Sequence, residues 1–192
     1  MLVLGSGARE HSICWAVKKS KACKKLFCSP GNAGIEKFAE CRFINLKKKL
    51  HILNFCKKNS IDLVIVGPEE YLADGVSDYL QTKGIKTFGP IKNAAKLETS
   101  KSFAKSFLLK NKILTPNYRK FTTSNKALNY LKSLNFPIVI KADGLAAGKG
   151  VVICKNFSQA EQTIKLMMEK KKFGDAGKKI IIEEFIDGFE IS

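Results

Sequence analysis

Between Pro137 and Val152 the chain reads PIVIKADGLAAGKGVV: a β-rich run ending in Lys141, glycines at 144, 148 and 150, a second lysine at 149, then more β-branched residues. A glycine-rich turn between two strands lets backbone N–H groups approach an anion, because no Cβ holds the ligand away. The expected guest is a phosphate, with Lys141 beside it as a point charge. The spacing is not G-x-x-x-x-G-K-[ST], and no helix signal follows the second lysine. The loop therefore reads as a flap between strands rather than a Walker turn feeding a helix. A plain glycine hairpin is the competing reading.

A second group of turns opens the chain. An apolar strand over residues 1–4 leads into Gly5-Ser6-Gly7 and then a helical pattern with Ile13, Cys14, Ala16 and Val17 on one face. Strand, glycine turn and helix make a phosphate-binding start of the doubly wound type. The dinucleotide fingerprint needs a third glycine where Glu10 stands, which argues against a nicotinamide oxidoreductase. A strand over 26–28 runs into Ser29-Pro30-Gly31-Asn32-Ala33-Gly34, and the apolar run 61–66, a buried parallel strand by its pattern, ends in Gly67-Pro68-Glu69.

These strings resemble one family. KADGLAAGKGV is similar, without a mismatch, to the nucleotide loop of the glycinamide ribonucleotide synthetases (phosphoribosylamine-glycine ligases), members of the ATP-grasp superfamily. PGNAG, GPE and FGDAG (173–177) resemble further turns of that family, and G-x-G-x-R-E-H resembles its opening signature, which usually has glycine where this chain has Ala8. The resemblance runs from residue 1 to residue 192. It implies an α/β protein with a Rossmann-like parallel domain over 1–98, a helical linker and the start of the ATP-grasp fold over 99–122, and an incomplete ATP-grasp lid over 123–192.

The implied sites follow residue by residue. The phosphoribosylamine substrate falls to Gly5, Gly7, Arg9, Glu10, Pro30, Gly31, Asn32, Ala33, Gly34, Gly67, Pro68 and Glu69. ATP falls to Lys101 of the L-E-x-S-K match, to Lys141, Asp143, Gly144, Leu145, Ala146, Ala147, Gly148, Lys149, Gly150 and Val151, and to the strand end Glu183, Glu184, Phe185, Ile186. Glu190 matches the ribose-binding acid; Phe189 stands where the family usually has a second acidic residue. The magnesium or manganese ligands and the groups around the acyl phosphate are expected beyond Ser192. The remaining stretches position these turns. Helices are expected over about 46–58, 76–83, 94–97, 100–110 and 124–134, with a hinge near 115–123 where 117–121 is either strand or linker. Ser158 and Glu161 have capping-box spacing ahead of a helix that turns Ala160, Ile164, Met167 and Met168 inward. Residues 179–184 then form the third strand of a small antiparallel lid. His11 at a helix start caps or packs; His51 is placed on a solvated face.

Composition narrows the classes. With 45% hydrophobic and 27% charged residues the chain is an ordinary globular protein, and no apolar run approaches the roughly 20 residues of a membrane span. No membrane or nucleic-acid partner is expected. The net charge of +17 is spread over lysines, whereas base-reading sites favour arginine, and this chain has only Arg9, Arg42 and Arg119. Six cysteines without a C-x-x-C pair, and two histidines, make no zinc pattern, so the thiols are read as reduced and structural; the opening MLVLGSGAREH lacks a basic n-region and a cleavage site, and the chain is read as cytoplasmic. The resemblance implies ATP-dependent ligation of glycine to 5-phosphoribosylamine through glycyl phosphate, giving glycinamide ribonucleotide, ADP and phosphate in purine biosynthesis. Lacking the metal ligands, the 192 residues alone are expected to be inactive. A non-catalytic nucleotide-binding remnant, and one half of a split synthetase working with a C-terminal half in trans, stay open as alternatives.

Overall fold

The computed structural model describes residues 1–146, 148–170, 172–189 and 191. The chain divides into two compact units, Met1–Ala95 and Lys96–Ser192.

The first unit is a five-stranded parallel sheet in the order β3-β2-β1-β4-β5. Its strands are β1 (Leu2–Gly5), β2 (Phe27–Pro30), β3 (Glu40–Cys41), β4 (Leu63–Val66) and β5 (Lys86–Phe88). Helices α1 (Ala8–Lys18), α2 (Lys49–Lys58), α3 (Glu69–Ala73) and α4 (Val76–Thr82) connect them. Side chains alternate across a strand, so Leu2 and Leu4 pack with Val64, Ile52, Leu53, Val76 and Leu80 on one face, while Val3 packs with Cys14, Cys28 and Ile35 on the other. A parallel sheet covered on both faces follows from the unbroken apolar runs of β1 and β4. Every β-to-α turn in such a sheet opens at the carboxyl ends of its strands. Two boundaries differ from the sequence expectation. Residues 69–83 form two helices because Gly75 takes the left-handed conformation between them (φ +76°), and β3 is a two-residue strand with too little pattern to read.

In the second unit, α5 (Lys92–Thr99) starts before the division and α6 (Lys101–Lys110) follows. The sheet has four strands, not three, in the order β6-β9-β7-β8: β6 (Tyr118–Phe121), β7 (Ile138–Ala142), β8 (Val151–Cys154) and β9 (Ile180–Glu184). All pairings are antiparallel. Residues 118–121 are thus an edge strand rather than a free linker. Helices α7 (Ser124–Leu131) and α8 (Phe157–Ile164) cover one face, where Ile138, Ile140, Ala142, Ile180 and Ile182 meet Ala127, Leu131, Ala160, Ile164 and Met167. The cap of α8 is Asn156, whose side chain accepts from the Gln159 N–H at 3.0 Å, and not Ser158. Either type caps well; the helix starts two positions earlier than the Ser-x-x-Glu spacing suggests.

Candidate functional site

The opposite face of the second sheet carries the charged groups. By alternation and register, Val139 and Lys141 of β7 share that face with Val151 and Ile153 of β8 and with Ile181 and Glu183 of β9. Val151 and Ile153 are about half exposed, 45% and 52%, so an apolar platform lies open beside the lysine. Glu183 is buried and pairs with Lys141 at 2.8 Å and with Lys105 of α6 at 3.3 Å. Lys105 is itself buried and donates to the Pro116 carbonyl at 3.2 Å. Burial pushes its ammonium below the ordinary lysine range, and the Glu183 carboxylate partly restores it. Lys101 is lowered in the same way, with Asp143 as the main opposing charge. Its Nζ donates to the Gly144 carbonyl at 3.3 Å.

The glycine loop joins β7 to β8. Its base is closed by Ala142 N–H donating to the Gly150 carbonyl at 2.8 Å, and its tip turns through Lys149 N–H to the Ala146 carbonyl at 2.9 Å. Gly148 takes φ +75° in open space, a conformation that costs a Cβ-bearing residue energy. Leu145, Lys149 and Val151 are exposed and Gly150 is buried. Gly144 rests on the 174–178 turn, its N–H reaching the Ala176 carbonyl at 3.4 Å, which gives FGDAG a supporting place. Asp143 is buried under the loop. At the strand end, Glu184 turns to Asn117, accepting from its N–H at 2.8 Å and its Nδ2 at 3.0 Å. Phe185 and Ile186 are exposed. Ala147 and Glu190 lie outside the described residues.

The first unit brings its three turns together. Gly31 N–H donates to the Gly5 carbonyl at 3.2 Å, Asn32 Nδ2 to the Ser6 carbonyl at 2.8 Å, and Gly67 N–H to the Leu4 carbonyl at 3.1 Å. Pro30, Asn32 and Ala33 are exposed, and Gly34 sits against the His11 ring, which packs edge-on to Phe38. Arg9 pairs with Glu69 at 2.8 Å, and this guanidinium holds the Glu69 carboxyl below the usual range. Pro68 precedes Glu69 as the cap of α3. Glu10 is not at the surface. Its Oε2 accepts from Gly7 N–H at 2.6 Å, and its Oε1 is buried without a hydrogen-bond partner beneath Gly67.

Sequence reasoning missed Lys105, Val139 and Ile153. Lys105 stands four residues after Lys101, hence on the same helix face, but among so many lysines that spacing carries no signal. Val139 and Ile153 could be found only by assigning the strand faces.

A parallel α/β unit, followed by an antiparallel sheet whose glycine loop stands beside two lysines, defines the ATP-grasp class of proteins. The biotin carboxylase of Campylobacter jejuni, solved as a β,γ-ATP complex, shares this fold with a TM-score of 0.75 at 16% identity, over 97% of this chain and 45% of that one. The chain belongs to the phosphoribosylglycinamide synthetase family: its N domain model matches residues 1–98 and its ATP-grasp (A) domain model residues 99–192. The phosphoribosylamine–glycine ligase of Clostridium acetobutylicum is 48% identical over the whole of this chain and 46% of its own length. The solved ligase of Thermotoga maritima aligns with a TM-score of 0.77 and 29% identity, over 98% of this chain and 44% of that one. The chain thus spans just under half the length of these relatives. Among the described residues, no helix is long and apolar enough to cross a membrane.

Proposed function

We propose that this chain holds the two phosphate-bearing substrates of a phosphoribosylamine–glycine ligase, ATP on the second unit and 5-phosphoribosylamine on the first. The observation that carries the reading is the meeting of Lys141, Lys101 and the glycine loop beside the open platform of Val151 and Ile153, which Val139 underlies. The lysines, and loop N–H groups other than those of Gly144 and Lys149, would hold the phosphates by charge and hydrogen bonding, as phosphoryl transfer requires positioning above all. The platform, with Phe185 and Ile186, would seat the purine, and the backbone of 183–186 would read its edge. On the first unit the turns at Gly5–Gly7, Pro30–Gly34 and Gly67–Glu69 would hold phosphoribosylamine, with Arg9 for its phosphate and Glu69 for its amine or ribose.

In the whole ligase the glycine carboxylate attacks the γ-phosphate to give glycyl phosphate and ADP, and the phosphoribosylamine nitrogen then displaces phosphate to form the amide. This chain's part is to bind and orient. Among the described residues no three His, Cys, Asp or Glu side chains gather to hold a metal ion, and Asp143 and Glu183 are already engaged by donors and ammonium groups. The magnesium or manganese expected from the resemblance finds no seat on them. The domain limits we propose are 1–98, 99–122 and 123–192.

The test mixes the purified chain with the remaining portion of the Clostridium acetobutylicum ligase, freshly generated phosphoribosylamine, ATP, magnesium and glycine. We expect glycine-dependent ADP release only from the mixture, and its loss with Lys141→Ala. Nucleotide binding with no turnover in the mixture would instead mark a non-catalytic remnant, and turnover by the chain alone would refute the division of labour.

A further inference from the structure

Asp143 lies within the nucleotide loop, yet every polar atom it has is engaged inside the second unit. Its Oδ1 accepts from Ser102 N–H at 2.6 Å, its Oδ2 from Ser102 Oγ at 3.1 Å, and both oxygens lie 3.3 Å from Ser100 Oγ. Its carbonyl accepts from Lys101 N–H at 3.0 Å, and its own N–H donates to the Lys179 carbonyl at 3.0 Å. The side chain is buried, with 8% exposure for the residue. Ser102 and Phe103 are early residues of α6, whose first-turn N–H groups have no partner within the helix. Ser100 caps Phe103 N–H at 3.2 Å, and Asp143 takes the neighbouring N–H of Ser102 from across 41 positions of sequence.

From this geometry we infer that Asp143 is not a nucleotide ligand but a latch, a positioning residue that fastens the base of the loop to the first turn of α6. The latch brings Lys101 to the loop. Once Lys101 N–H is bonded to the Asp143 carbonyl, its side chain is directed along the loop, where Nζ meets the Gly144 carbonyl. The other end of the loop is closed by the Ala142 to Gly150 hydrogen bond. The loop is thereby fastened at both of its ends. A carboxylate serves better here than an amide or hydroxyl, because charge-assisted hydrogen bonds to backbone N–H groups at a helix start are short and strong. The inference rests on the nucleotide reading of this face.

The test pairs hydrogen exchange without nucleotide with ATP titration, both on the 192-residue chain. Asp143→Ala should speed exchange at Ser102 and Lys101 by about tenfold or more and weaken ATP binding by about five- to tenfold. Asp143→Asn keeps an acceptor for Ser102 N–H, and the serine hydroxyls can turn to accept from its amide. It should stay within about threefold of the unsubstituted chain in both readouts. Should Asp143→Ala fail to fold, Ser100→Ala with Ser102→Ala removes the hydroxyl side of the latch and should speed exchange at Ser102 about threefold. Unchanged exchange in Asp143→Ala would overturn the latch, as would weak binding in Asp143→Asn with exchange unchanged, which would make the carboxylate a ligand contact. Failure of the unsubstituted chain to bind ATP would count against the nucleotide reading alone, since exchange in the absence of ATP still decides the latch.

Discussion

Glu10 carries its carboxylate under two backbone turns at once. A Cβ added to Gly67 would lie 2.1 Å from Oε1, and one added to Gly5 would lie 2.6 Å from the carboxyl carbon. Gly5 and Gly67 therefore leave room for this side chain, apart from any ligand above them. Gly67→Ala should destabilise the first unit by about 1–3 kcal/mol through overpacking, and Glu10→Ala by about 1 kcal/mol through loss of the acceptor for Gly7 N–H. Since the added methyl and the carboxylate compete for one space, the double substitution should cost about 1 kcal/mol less than the sum. Denaturant unfolding followed through Trp15, the chain's single tryptophan and a first-unit residue, reads this directly. Strict additivity would show that Glu10 does not fill the space. The sequence pointed to the glycines and to Glu10 but could not tell support from contact, because residue type does not say on which side of a turn a carboxylate lies.

At the scale of elements, the end of β9 is tied to the start of β6 through Glu184 and Asn117. The backbone and side-chain donors of Asn117 hold the Glu184 carboxyl below its ordinary 4.5. On acidification the unfolded chain takes up this proton first. The stabilisation is therefore complete above about pH 4.5 and is lost as the pH falls through the lowered folded value. In Asn117→Ala the side-chain donor is gone, and the Glu184 midpoint followed by carboxyl NMR should rise toward 4.5; an unmoved midpoint would assign the shift to the backbone N–H alone. The β6 strand itself was only half legible, since Tyr-Arg-Lys-Phe shows no clean alternation. Its partner β9, more than fifty residues later, supplies the pairing. The central strands, by contrast, announced themselves through apolar runs, and the loop between β7 and β8 through its glycines and lysine.

For the molecule as a whole, we propose one site on each unit, and the motifs that suggest those sites were readable because glycine, proline and lysine at fixed spacing are costly to hold by chance. What the spacing could not convey was the buried counter-charge around Lys141: Glu183 looked like one acid at a strand end and Lys105 like one lysine among many. On our proposal ATP is held on the second unit between the lysines and the glycine loop. For this 21.3 kDa chain the direct measurement is an amide NMR titration with ATP. We predict shifts at Lys101, Lys141, the loop 143–151 and the strand end 183–186, with the Gly5–Gly7 and Gly31–Gly34 amides unmoved. Shifts confined to the first-unit turns, or none at millimolar ATP, would contradict it.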